Sequence, residues 1–409
     1  MNKGKVALVC FMVLALVATL CLGCAEEEEV VGKVVITIGD VTDMTGPAAT
    51  ALIPIVYVLD DLVKYYNEEN LIPGVELKMI HYDAKYDPSR DLPGYYWLRE
   101  KGAEVIVTPL PTTGESLIFQ AERDKVPIAC QTTTVPQIET PRYNFTLGVP
   151  GAWLMKTLLG WLPENHEDFP IDRPATIGVA GWQEPHMMDV SRGVEEYCQA
   201  HSEEFEYVGT YLTPMGGVTW SGEVAKLKDC DYVAMPGTGT GISTFINEFR
   251  VAGGTATLLQ TDAGAAYRGL LVDACGWDRL DGTLTSHPTL WWGEPSPIVD
   301  LAEEVLHRYH SDKADDIIHS GIGYIGSFHQ YYAFFQILEA AIEAAGAENF
   351  DGQAFYNTAV TYTGNWGEDY RQWGFTATKR HTWNYTVVWE WDKDEADLVR
   401  ASDWLLLIQ

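Results

Sequence analysis

From residue 34 onward the chain alternates β-branched apolar runs with stretches of helical periodicity, and Thr, Gly and Pro loops separate them; this rhythm restricts the possible folds more than any other feature. Residues 34–41 read as a strand that ends in the turn-rich Thr42-Asp43-Met44-Thr45-Gly46-Pro47, after which Val56, Leu59, Leu62, Val63 and Tyr66 recur at helical spacing. A strand over 76–82 leads through Asp87-Pro88, a cap residue with Pro at the first helical position, into a helix toward Lys101. A strand over 105–107 precedes Thr112 and Glu115, which have capping-box spacing, and one over 126–130 precedes Gln131-Thr132-Thr133-Thr134. After Pro150 a second series follows, with strands over 176–180, 207–212, 232–235 and 257–260 and helices over 186–200, 222–228 and 242–251. Such alternation predicts an α/β fold of two doubly wound parallel-sheet lobes. A helix over 326–345 capped by Gly346, followed by a strand over 385–391, breaks the rhythm and reads as shared between the lobes.

Parallel sheets present ligand sites outside the carboxyl ends of their strands. In the first lobe those loops are 42–47, 108–113 and 131–134; they are rich in Thr and Gly and contain no Lys or Arg. Hydroxyls, backbone amides and a helix dipole of ~0.3–2 kcal/mol suit a single carboxylate better than a triphosphate. In the second lobe they are 181–186, 236–241 and 261–264, where Asp262 is a lone acid and Trp182, Glu184 and His186 belong to a neighbouring loop. An acid on one lobe facing hydroxyls and amides on the other complements a zwitterion. The alternatives are ordinary turn chemistry for each Thr, a cap for Asp262 or His186, and a hydrophobic shelf for Trp182.

Enzyme signatures are missing: past residue 24 the sequence contains no G-x-S-x-G, H-E-x-x-H or C-x-x-C. Glycines at alternate positions in 236–241 lack dinucleotide-fingerprint spacing, which leaves Thr238 in a cleft loop. His307 and His310 lack a further placed ligand for zinc, so neither a metal nor a cofactor is expected. With 58 Asp and Glu against 27 Lys and Arg, a net charge of −31 disfavours nucleic acid as a partner. The 409 residues are enough for two or three domains with a large core.

Lys3 and Lys5 precede an apolar run over 6–22, which reads as an export signal shorter than a membrane span. Leu20-Cys21-Leu22-Gly23-Cys24 resembles the lipobox of bacterial lipoproteins, which places lipid attachment at Cys24; Cys21 stands where Leu is usual. The alternative is a soluble secreted protein cut near the same place. Cys130, Cys198, Cys230 and Cys275 remain, and an oxidising compartment permits a bridge between Cys198 and Cys230.

Several segments together resemble the type I periplasmic-binding family, in its branched-chain amino acid and amide branch serving ABC transporters. They are Ile38-Gly39 through Thr45-Gly46-Pro47, Tyr82-Asp83-Ala84-Lys85-Tyr86-Asp87-Pro88, the 108–113 loop, Val126-Pro127 through Thr134, Asp231-Tyr232-Val233 and Tyr331-Tyr332-Ala333-Phe334. The resemblance implies ligand contacts from Thr112, Thr113, Thr132 and Thr134 on one lobe, and from Trp182, His186, Thr238 and Asp262 on the other. It places the carboxylate-binding loop at 111–113 and the ammonium-binding acid at Asp262. Departures are Pro111 for a hydroxyl, His186 for an aromatic residue, and Gly237-Thr238-Gly239 for a tyrosine-bearing loop. It further implies a leader over 1–23, an acidic tether over 24–33, an N-terminal lobe of 34–149 plus 288–350 and a C-terminal lobe of 150–287 plus 351–409. The function implied is an exported, lipid-anchored solute-binding protein, not an enzyme. It would close on an amino acid, amide or small carboxylate and deliver it to permease subunits. A secreted hydrolase using cleft carboxylates and a ligand-sensing receptor module are the alternatives.

Overall fold

The computed structural model describes residues 32–367 and 371–409; the expected leader, Cys24 and nearly all of the tether lie outside them. Strand β1 (Val34–Thr42) is buried from Ile36 onward, so its residues are apolar or small on both faces instead of alternating, apart from Asp40, which His81 meets at 2.8 Å. It pairs in parallel with β2 (Val75–Asp83) and β3 (Ala103–Thr108), and β4 (Ile128–Cys130) and β5 (Asn144–Thr146) extend the sheet in the order β2-β1-β3-β4-β5. The second sheet repeats that order with β6 (Ala175–Trp182), β7 (Phe205–Thr213), β8 (Tyr232–Ala234), β9 (Thr257–Thr261) and β10 (Leu284–His287), running β7-β6-β8-β9-β10. The α/β fold with two doubly wound lobes expected from the rhythm is what forms.

In the first lobe, helix Ala49–Glu68 packs against helix Ile322–Ala345, with Tyr66 meeting Tyr332 and Phe335. Buried Asp61 ties three elements together, accepting from Tyr324 OH at 2.9 Å and meeting His310 Nε2 at 3.0 Å. The long helix begins at Ile322 instead of Gly326, and every residue from Ile322 to Tyr331 is buried, so no polar stripe marks its start. In the second lobe, helix Gly151–Asn165, which the sequence pattern did not single out, lies close against helix Pro185–Ala200; a Cβ on Gly193 would stand 2.5 Å from Ala152 Cα.

Two hairpin strands, β11 (Thr363–Gly364) and β12 (Trp373–Gly374), precede β13 (Tyr385–Asp392), which joins β10 antiparallel, followed by β14 (Asp397–Arg400) and β15 (Leu405–Leu406) against β13. The third crossing between lobes falls after Thr382, well past the expected residue 350. Helix Gly352–Ala359 stays with the first lobe, because Tyr356 stacks on Tyr143 at 4.5 Å and Phe355 meets Phe145 and Phe334. Thr146 then donates its N–H to Arg380 O and accepts from Thr382 N–H on the returning chain. Residues 351–382 therefore leave the C-terminal lobe, to which the sequence reading assigned them.

Candidate ligand-binding cleft

Each sheet has a point where its connections diverge, between β1 and β3 in one lobe and between β6 and β8 in the other, and a crevice forms outside the strand ends there. A cavity open to solvent, with about 680 Å³ of space when that open solvent is included, occupies this place. The first lobe contributes Ala48, Leu52 and Ile55 from the chain after β1, Pro109 to Pro111 after β3, and Gln131 and Thr132 after β4. The second contributes His186 after β6, Gly237 and Thr238 after β8, and Asp262 and Ala263 after β9. Tyr86, Tyr267, Thr289, Ser327 and Gln330 complete the wall.

Of the eight residues expected from sequence, Thr132, His186, Thr238 and Asp262 line the cavity. The other four do not. Thr113 Oγ1 donates to Asp91 at 2.8 Å inside the first lobe, and Thr134 Oγ1 donates to Glu115 Oε1 at 2.5 Å. Helix Pro111–Ser116 starts one residue before Thr112, with Leu110 at its cap, so the expected capping box does not form and Thr112 Oγ1 is buried without a partner. Trp182 donates from Nε1 to Gly217 O at 2.9 Å and fills the space beneath Gly239 and Gly241. At Gly239, where φ is +68°, a Cβ would also approach Pro47 O of the opposite lobe to 3.2 Å.

The electrostatics of the cleft are one-sided. Asp262 opens a short helix, and its Oδ1 accepts from Ala263 N at 2.9 Å. Burial pushes its carboxyl up to about 6, and among the described residues no ion pair neutralises it. No Lys or Arg of the described residues lines the cavity. His186 meets Thr261 Oγ1 at 3.0 Å, and burial lowers it to about 4, which keeps it neutral near pH 7. Glu184, not His186, caps helix Pro185–Ala200, accepting from the N–H groups of His186 and Met187 at 2.8 Å. Its other contact crosses the cleft: Tyr86 OH donates to Glu184 Oε2 at 3.2 Å. A second link joins Val135 N of the first lobe to Asp189 Oδ1 at 3.0 Å.

Sequence reasoning missed Tyr86, Tyr267, Gln131, Ser327 and Gln330 as lining residues. The loop after β2 was left out of the set of strand-end loops, although Tyr86 sits there in the left-handed region at φ 54°. Ser327 and Gln330 were legible as polar interruptions in an otherwise apolar helix start. The four described cysteines are free buried thiols, so the Cys198–Cys230 bridge is not made. His307 and His310 share helix Pro297–His310, where His310 serves Asp61.

No curated protein sequence matches the chain. Solved structures do. A branched chain amino acid ABC transporter from Thermus thermophilus with bound valine superposes with a TM-score of 0.79 at 14% identity, over 92% of this chain and 97% of that one. A fatty acid ABC transporter substrate-binding protein from Thermomonospora curvata gives 0.76 at 15% identity, over 92% and 94%. A solute binding protein from R. palustris in complex with 4-hydroxybenzoate gives 0.72 at 16% identity, over 92% and 97%. These likenesses establish the fold, and three such different ligands on it leave chemistry to the local side chains. The sequence pattern described as periplasmic binding protein matches residues 35–396, nearly the whole described body, and the chain belongs to that family.

Proposed function

We propose that the chain is the exported solute-capturing component of an ABC uptake transporter, and that its cleft takes a small zwitterion with the ammonium group at Asp262. The observation that carries the ligand class is Asp262 itself: a half-buried carboxylate on the cavity wall, with no cation of the described residues beside it, in a cavity without Lys or Arg. An ammonium group supplies the missing charge. The ligand's carboxylate then lies toward Thr132 and the first lobe, held by hydroxyl and amide groups instead of a guanidinium. A simple fatty or aromatic acid fits poorly, because its only charge repeats that of the cleft.

Capture is favoured over turnover by the same geometry. A hydrolase acting through two cleft carboxylates needs a second acid, and Glu184 is already occupied as a helix cap and by Tyr86. The export signal over 6–22 and lipid attachment at Cys24 belong to this reading, since a tethered binder stays near its permease. Among the described residues no helix is long and apolar enough to cross a membrane.

Titration calorimetry against amino acids, amides and small acids tests the proposal. Asp262→Asn retains turn hydrogen bonding but removes the charge. It is expected to weaken an ammonium-bearing ligand by ~2–5 kcal/mol, roughly thirtyfold to several thousandfold. Unchanged affinity in this variant sinks the zwitterion assignment.

A further inference from the structure

The wall of the cavity built by the first lobe and the second crossing differs in kind from the end that holds Asp262. Ser327 and Gln330 stand one turn apart on the buried start of helix Ile322–Ala345, and both line the cavity. Gln131 reaches the same wall, donating from Nε2 to Ser327 Oγ at 2.6 Å. Thr289, on the second crossing, abuts the helix at Gly326, where an added Cβ would lie 3.2 Å from Thr289 Oγ1. Gln330 is 3% exposed and Thr289 1%, yet Gln131 Oε1, Thr289 Oγ1 and Gln330 Oε1 are all buried without a hydrogen-bond partner.

Proteins pair nearly all such atoms, and three unpaired ones on one wall of one cavity point to a ligand group that pairs them. The wall carries no charge, so a second carboxylate or ammonium placed there would shed its water without gaining a counter-charge. A hydrocarbon would leave all three atoms unpaired, the mismatch that hydrogen-bonding sites reject most strongly.

We propose that the ligand ends, within the first lobe, in an uncharged group that both donates and accepts hydrogen bonds, a carboxamide or hydroxyl, and that Gln330 selects for it. The placement of the ligand's other end rests on the zwitterion reading above; the selection at this end is judged separately. Calorimetry on the purified protein compares glutamine with norleucine, which replaces the amide tip by hydrocarbon, and their counterparts without the ammonium group, glutaramic acid and hexanoic acid. Glutamine is expected to bind at least about tenfold tighter than norleucine, and Gln330→Leu to erase or reverse that preference. Norleucine binding as tightly as glutamine overturns the proposal, as does an absence of binding by all four compounds at millimolar concentration. If only the pair without ammonium binds, the role of Asp262 is refuted, and the amide-to-hydrocarbon ratio within that pair decides the present proposal by the same criterion. Should Gln330→Leu fail to fold, the wild-type ratios alone decide it.

Discussion

Asp262 makes the unliganded cleft unfavourable in a way that a measurement of stability can read. A carboxyl raised from 3.8 to about 6 in the folded protein binds its proton more readily there than in the unfolded chain. Its ionisation therefore opposes folding fully above about pH 7, and the opposition fades as pH falls from 6 toward 4. Asp262→Asn is expected to raise the melting temperature of the ligand-free protein at pH 8, by the equivalent of roughly 1–3 kcal/mol, with the gain shrinking toward pH 4. Affinity for an ammonium ligand should run the other way in the wild type, weakening about tenfold from pH 7 to pH 5 as the carboxylate is lost, and this dependence should be blunted in the variant. Calorimetry at the two pH values checks it. Thr113 lies on a different side of the argument. Its hydroxyl serves buried Asp91, whose carboxyl burial already raises, so Thr113→Ala should cost about 1–3 kcal/mol in urea unfolding through Asp91 and change ligand affinity little. An intact melting temperature with weakened binding would restore Thr113 to the cleft.

At the level of elements, most strands of both sheets are legible because their β-branched runs end in loops of Gly, Pro and Thr, whereas the short β5, β10 and β14 are not, and the helix from Pro185 is legible from its spacing. Where burial is complete the signal fails. The start of helix Ile322–Ala345 has no solvated face, and helix Gly151–Asn165 is apolar enough to show little periodicity. The site followed the same division. Sequence placed most of the lining loops at the strand ends, the one bearing Tyr86 excepted, but it had no means of telling which Thr hydroxyl in a helical turn faces the cavity and which faces Asp91 or Glu115. The third crossing was missed because aromatic contacts of Tyr356 and Phe355 with Tyr143, Phe145 and Phe334, distant in sequence, decide it. One element-level contact is open to direct test. Gly193 lets two helices approach until Ala152 occupies the room of a Cβ, so Gly193→Ala should destabilise the protein by about 1–3 kcal/mol in urea unfolding despite its better helix propensity.

For the molecule as a whole, the links from Tyr86 to Glu184 and from Val135 to Asp189 hold the two lobes together across the cleft. A ligand with contacts on both lobes shifts the population toward this arrangement, and at a hundred times its dissociation constant it adds ~2.7 kcal/mol to stability. Small-angle scattering is expected to show a smaller radius of gyration on addition of a tight ligand, and no change with a saturating ligand would exclude hinge closure. The late third crossing has a further consequence, for the order in which the chain can become itself. Strand β13 covers the edge of β10 only after nearly a hundred intervening residues have gone back to build the first lobe. Until residues 385–392 emerge, β10 presents an open row of peptide groups, the kind of edge on which foreign strands pair. Synthesis from the N-terminus thus leaves the second lobe unsealed to the very end, so any holdase acting on the nascent chain has its longest-lived target there.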